Sequence, residues 1–511
     1  MKVLVIGSGV AGLMAALTLL RAGHAVEIFE QAAVPGGVTR GLEQDGLHWD
    51  YGQLNFEGLH KTNPLGGVLD KLGILDKLTV LPDHRDYIFP DFELRPPAEY
   101  AGPKWRIEEL KRLFPDEVKG LERYWRDYIR FTRLVTLGGR LEAGGLWAKV
   151  PFFAALLPLL PKLKWSAERL LDHYFKSDKL KAVFVSILAD FFTPPSQFQG
   201  LGVFALNSEK AYDERIPARL ATNAECIGLY SIAGGTKALT DAFVEEISKA
   251  GGVLHLNCAV KHILVTENKV TGIIDQNDVT HLCDKVIASG GAKETLIDLL
   301  AADTLPAEFT QKVKEIPLMD SVFMLHLGVD TSWPEVLKTS STYFYGSYDI
   351  EGQVKQAREG VYHEGAAGFV VHVPKIKLTG AKPADKYAIT IYTICPERLD
   401  GGGWESRKEE LADKLLEHAE KRLPGLRKHI TTAVVVTPDD LRRITHLQHH
   451  AFGGIAPILG AWKVPHQTPV EGLWFVGAQS ESGGGVNAVV PAAHKIARTA
   501  SRESRAVSPK P

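Results

Sequence analysis

Apolar residues open the chain in a short unbroken run, Val3-Leu4-Val5-Ile6, and then change period. From Ala11 to Arg21 they recur at helical spacing, and Val26-Glu27-Ile28-Phe29 returns to a short run. This switch from a continuous run to a 3.6-residue period and back predicts strand, helix and strand, a βαβ unit. Further on, a strand through Tyr230-Ser231-Ile232 leads to a helix over Lys237 to Ala250, and Leu254 to Val260 and Val286 to Ser289 read as two more strands. Near the end, an apolar run before Gly477 reads as a strand and Pro491 to Thr499 as a helix. Between these lie an amphipathic helical run from Arg106 to Leu134, carrying Leu110, Leu113, Phe114, Leu121, Tyr124, Trp125 and Tyr128, and strands at Ser321 to Gly328, Gly368 to Val373 and Tyr387 to Thr393.

The first strand meets the first helix through Gly7-Ser8-Gly9-Val10-Ala11-Gly12, and Glu30 closes the second strand. The three glycines serve different ends. Gly7 makes the tight turn, Gly9 lets backbone approach a pyrophosphate, and Gly12 lets the helix pack on the sheet. The helix start, with Val10 and Ala11, turns free N–H groups and the positive dipole end toward that diphosphate. Glu30 stands where a carboxylate accepts hydrogen bonds from a ribose 2′-OH, which disfavours a 2′-phosphate. No second glycine fingerprint of this kind follows a strand, so a separate nicotinamide site is not expected.

Beyond Glu30 come Pro35-Gly36-Gly37 and a short strand ending in Asp50-Tyr51-Gly52. At the far end, Thr468 to Ala478 leads through Gly477 to Gly483-Gly484-Gly485-Val486-Asn487 and the last helix. In this order the motifs resemble the flavin amine oxidase and phytoene desaturase superfamily, above all bacterial phytoene desaturases, carotenoid isomerases and retinol saturases. The resemblance implies non-covalent FAD, with backbone at Gly36, Gly37 and Gly52 against the flavin and Val260 meeting adenine. It also implies that Gly290 and Gly477 border the nucleotide, and that Gly485, Val486 and Asn487 lie at the flavin pyrimidine edge, where a helix dipole favours negative charge on the reduced ring. Three positions depart from the family pattern: Val38 after the Gly-Gly pair, Gln53-Leu54 after Gly52, and Glu481-Ser482 before Gly483.

The fold class implied is α/β: a Rossmann-like FAD-binding domain of the amine-oxidase type, with a discontinuous α+β substrate domain. Residues 1–75, 230–295 and 455–503 are assigned to the first and 76–229 and 296–454 to the second, with 504–511 as a disordered tail. The implied function is an FAD-dependent oxidoreductase on a hydrophobic polyene or isoprenoid, carotenoid-like, acting by desaturation, saturation or cis–trans isomerisation. In that family hydride passes between a substrate carbon and flavin N5. A flavin amine oxidase is the alternative, although no cysteine occupies a C-terminal flavin-attachment context and no paired aromatics follow Gly485. A non-catalytic prenyl-binding relative is the third reading, disfavoured by the intact glycine motifs. In the cluster His446-Leu447-Gln448-His449-His450, His449 and His450 are the candidates for proton transfer. Metal binding there is not expected, because neither a carboxylate nor a fourth ligand is close in sequence.

With 511 residues, 45% of them hydrophobic and 23% charged, the chain can bury a large core and fill two or three domains. A net charge of −2 gives no footprint for nucleic acid. The four cysteines, Cys226, Cys258, Cys283 and Cys395, have no CxxC spacing, which indicates neither a disulfide framework nor a zinc site and suits a reducing compartment. The apolar stretch Met1 to Leu20 reads as strand and helix, not as a signal peptide, since cleavage would remove the pyrophosphate loop. A cytoplasmic protein is therefore expected, with one segment able to hold it at the inner face of a membrane. Residues 150–161, Val150 to Pro161, are uncharged, flanked by Lys149, Lys162, Lys164 and Trp165, and broken by three prolines. They fall short of the roughly 20 residues of a bilayer span. An interfacial anchor or lipid-tunnel mouth and a buried core segment remain the two readings.

Overall fold

The computed structural model describes residues 1–52, 54–140, 146–217, 228–333, 337, 339–374 and 385–506. Five parallel strands form its nucleotide-type sheet, in the order Val253–His255, Ala25–Phe29, Lys2–Ile6, Lys285–Ser289 and Leu473–Val476. The central strands are buried on both faces, as their unbroken apolar runs require. On one face Val3, Val5 and Ile287 pack with the helices Val10–Arg21, Gly235–Lys249 and Val486–Ala506. On the other, Leu4, Val286 and Ala288 pack with Ile263, Val270 and Ile273 of an antiparallel meander, Val260–Thr266, Lys269–Asp275 and Thr280–Leu282.

The meander corrects one sequence expectation. Leu254 to Val260 is not a single strand: pairing with the parallel sheet ends at His255. Asn257 takes a left-handed φ of 50°, and the amides of Asn257 and Cys258 donate to the carbonyls of Ala32 and Glu30. The chain thereby leaves the sheet, and Val260 opens the next strand, antiparallel to Asp275.

A seven-stranded sheet follows the order Ile430–Val436, Ser321–Asp330, Lys386–Cys395, Gly368–His372, Ser341–Tyr345, Arg85–Ile88 and Glu93–Leu94. Its strands come from both halves of the chain. One face packs on the helix Trp404–Arg422 through Leu411, Leu415 and Ala419. Part of the other, at Tyr343, Tyr345 and Val370, meets a helical layer with Leu121, Tyr124, Phe184 and Phe204 in its core. The long amphipathic run of that layer is two helices, Trp105–Leu113 and Val118–Arg140. Phe114 between them adopts φ −128°, ψ 70°, because Pro115 excludes helical geometry from the residue before it. A small sheet of Phe56–Glu57, Leu229–Ile232 and Val80–Asp83 connects the two large ones.

The last helix runs to Ala506, through residues 504–506 of the expected tail; residues 507–511 lie outside the described residues. Cys258, Cys283 and Cys395 are free thiols, and burial pushes Cys283 up to about 12. Cys226 and Gln53 lie outside the described residues. Among the described residues no helix is long and apolar enough to cross a membrane.

Candidate flavin and substrate site

The glycine loop lies at the carboxyl end of the parallel sheet, where open α/β folds bind nucleotides. Gly9 is the N-cap of Val10–Arg21, no side chain caps that helix, and its first turn carries no acidic residue. Its leading N–H groups are thus left for an anion. Around the loop, Gly12 abuts the Gly7 carbonyl so closely that any side chain would collide, and Gly7 holds φ 87° against Ser289. Gly9 differs, for a Cβ there would find only Ser289 Oγ, at 3.8 Å. The room beside Gly9 is what a diphosphate needs, and the residues fit that group.

Gly36, Gly37, Gly290 and Gly477 converge on the same place. Gly36 donates its N–H to the Ser8 carbonyl at 3.0 Å, which sets Gly37 within 3.8 Å of the Gly9 Cα for an added Cβ. A Cβ added at Gly477 would lie 3.8–3.9 Å from Gly290 N, Ser289 Oγ and Ala11 Cβ. Glu30 accepts from Ser8 N at 2.8 Å, Ser8 Oγ at 2.7 Å and Ala32 N at 2.8 Å, so its carboxylate is fixed against the loop. Gly52 rests near Val38 and Phe452, and Gly485, at φ 89°, precedes the helix that begins with Val486. Asn487 donates to Glu57 at 3.0 Å.

Asp50, just before Gly52, ties this region to the mid-chain Gly234-Gly235-Thr236 turn. Its Oδ1 accepts from Thr236 N at 2.9 Å and Thr236 Oγ1 at 2.5 Å, closing the start of the helix Gly235–Lys249. His48 lies 3.3 Å from Asp50, and that carboxylate outweighs burial to hold the imidazole above its usual pKa.

The two candidate histidines occupy different environments. His449 is exposed and pairs with Asp298 at 3.0 Å. His450 is buried, bonds the Met319 carbonyl through Nε2, and is pushed down to about 4 by burial. Of the two proton-transfer candidates, His449 therefore faces solvent and His450 is held in the core.

The seven-stranded sheet brings together residues that no local pattern joined. His326 stands opposite Thr390, Thr390 opposite His372, His372 opposite Ser341, and Ser341 opposite Arg85. Beside this polar row lies an aromatic one, Met324, Tyr392, Val370, Tyr343 and Tyr87, on the same face by the two-residue period of strands. The face looks toward the Leu47 to Gly52 segment, since His326 meets the rings of Trp49 and Tyr51 at 6.0 and 6.2 Å. His326 Nδ1 lies 3.0 Å from Thr390 Oγ1, while its Nε2 has no partner among the described residues. Burial pushes it down to about 3, so the ring is neutral. Asp190 Oδ2 accepts from the hydroxyls of Tyr343 at 3.0 Å and Tyr392 at 3.2 Å, and burial lifts this carboxyl to about 6.

Known proteins share this architecture over nearly the full length. A phytoene desaturase (lycopene-forming) of Pantoea ananas is 24% identical over 515 residues, covering 96% of this chain and 97% of that protein. A chloroplastic prolycopene isomerase of Arabidopsis thaliana is 25% identical over 514 residues, covering 97% and 82%. Among solved structures, an oxidoreductase from Methanosarcina mazei aligns with a TM-score of 0.64 at 17% identity, over 98% of this chain and 100% of that one. Putrescine oxidase bound to putrescine aligns at 0.60 and 15% identity over 99% of both, a likeness of fold. The family model described as flavin containing amine oxidoreductase matches residues 10–500, and the chain belongs to that family as an FAD-dependent oxidoreductase.

Proposed function

We propose that this oxidoreductase acts on a hydrophobic, carotenoid-like polyene or isoprenoid by desaturation, saturation or cis–trans isomerisation. The observation that carries the reading is the aromatic row Tyr392, Tyr343 and Tyr87 on the sheet face turned to the Gly52 region. The near full-length likeness to a phytoene desaturase and prolycopene isomerases supports it. FAD, when bound, supplies two-electron chemistry at a substrate carbon. The chain's part is to hold the nucleotide at Gly9 and Glu30, lay an apolar chain along the tyrosines, and keep water from the reacting carbons. The test is anaerobic bleaching of the flavin absorbance by carotenes, retinoids, fatty acids and amines, with isomer analysis after pre-reduction. A carotene or retinoid that bleaches the flavin, or isomerises only on reduced enzyme, is the expected result; bleaching by amines alone would make the protein an amine oxidase.

We also propose that the protein rests on a lipid surface through the 150–161 segment. The helix Leu146–Leu156 and the 3-10 turn Leu157–Lys162 place Val150, Phe153, Leu157 and Leu160 at helical spacing, and all four are exposed, Leu157 by 67%. Leu159 alone of this stretch is buried completely, which fixes the turn to the helical layer. Each exposed side chain contributes about 1.5–3 kcal/mol if fully inserted, enough for reversible attachment. Phe153, Leu157 and Leu160 changed to Ser together are expected to abolish co-flotation with liposomes while flavin content stays unchanged; equal flotation of both forms would reject the anchor.

A further inference from the structure

Two opposite charges lie deep beside the aromatic row without forming an ion pair. Arg85 sits with its guanidinium carbon 5.8 Å from the Tyr343 ring centre, next to the Tyr87 hydroxyl. It bonds that hydroxyl, but its Nε has no hydrogen-bond partner among the described residues, and among them no carboxylate is within ion-pair distance. Asp190 reaches the same tyrosine from its hydroxyl side, and both tyrosine hydroxyls use one oxygen, Oδ2, leaving Oδ1 without a hydrogen bond among the described residues. Arg85, Asp190 and Tyr392 each keep some accessible surface, although burial dominates the surroundings of all three.

The aromatic row therefore carries a guanidinium short of hydrogen-bond partners at Arg85 and an unused acceptor at Asp190 Oδ1, with charges that cancel. A pure hydrocarbon would leave both groups desolvated and short of hydrogen bonds. A carboxylate would satisfy Arg85 but add a second negative charge beside Asp190 in a dry site. A hydroxyl accepts one hydrogen bond and donates another, matching both without adding charge. We propose that Arg85 and Asp190 anchor the hydroxyl of an isoprenoid or polyene alcohol, whose apolar chain lies along Tyr87, Tyr343 and Tyr392. This rests on the polyene reading and narrows it to an oxygenated substrate.

The test uses the FAD-loaded protein in detergent micelles, with affinity read from the perturbed flavin absorption spectrum. The probes are geranylgeraniol, its deoxy hydrocarbon and geranylgeranoic acid, with β-carotene and β-cryptoxanthin as a second matched pair. Charge-assisted hydrogen bonds should make each alcohol bind about tenfold to a hundredfold more tightly than its hydrocarbon, with the acid no better than the hydrocarbon. Arg85→Met should erase the preference for the alcohol. Asp190→Asn keeps the shape but leaves Arg85 uncompensated, so the acid should become the tightest of the three. Should Arg85→Met fail to fold, the wild-type series and Asp190→Asn decide the matter. Hydrocarbon and alcohol bound alike, or an unchanged order in Asp190→Asn, would overturn the anchor alone. Binding by no member of either series would overturn the polyene reading and the anchor with it.

Discussion

Gly9→Val is expected to give a folded protein without flavin. Gly9 has φ −61° and ψ 163°, which any L-residue adopts, and a Cβ there approaches only Ser289 Oγ, at 3.8 Å. The protein itself tolerates a side chain at this position. What the branched side chain would fill is the room before the uncapped N-terminus of Val10–Arg21, where a diphosphate would be held. The flavin-to-protein ratio, read from visible absorbance after purification, should fall close to zero, and turnover with it. Thermal stability should drop only to the level of flavin-stripped wild type, because a bound ligand stabilises by mass action and its loss removes that contribution alone. Gly12→Val is the contrasting variant: its side chain would meet the Gly7 carbonyl and Ser289 Cβ, so misfolding is expected in place of clean flavin loss. A yellow, fully loaded Gly9→Val protein would remove the loop from the cofactor site.

Arg106→Ala is expected to cause the largest loss of stability of any single change outside the nucleotide loop. Arg106 is fully buried, and it donates to both Glu209 oxygens, Nη2 to Oε1 at 2.8 Å and Nε to Oε2 at 3.3 Å. Its guanidinium also stacks 4.1 Å from the centre of the Tyr212 ring. Burial raises the Glu209 pKa, with Arg106 opposing that rise, so removing the arginine strands a desolvated carboxyl. Breaking one side of such a pair costs about 3–5 kcal/mol, whereas replacing both partners by neutral groups of similar size costs far less. Arg106→Met combined with Glu209→Gln should therefore regain most of the loss in urea unfolding of the flavin-loaded protein. A single variant that loses under about 1 kcal/mol would show that the pair is solvated. The effect should also reach ligand affinity, since Tyr212 lies 4.9 Å from the ring of Tyr87 in the aromatic row.

The two sites differ in how much of them can be read along the chain. The Gly7 to Gly12 loop works through its own backbone within a single strand-to-helix turn, so spacing and glycine content describe it completely. The aromatic and polar rows draw Arg85, Ser341, His372, Thr390 and His326 from five strands, and only the register of the sheet makes them neighbours. His449 and His450 show the converse. Neighbours in sequence, they point one to solvent and one into the core, and only the packing around this bent loop sets which.

By itself the sequence determined the α/β nucleotide unit, the position of Glu30 beside the glycine loop, and the strands and helices that carry strong hydrophobic periods, because each of these depends on interactions within a few residues. The tertiary structure alone decided three further matters. It ended the strand at His255 and moved Val260 to the meander, it exposed Phe153 and Leu157 where composition allowed either burial or exposure, and it set Arg85 beside Asp190. Each depends on which distant segment occupies the adjacent space, and that is set by packing and strand register, not by any local pattern.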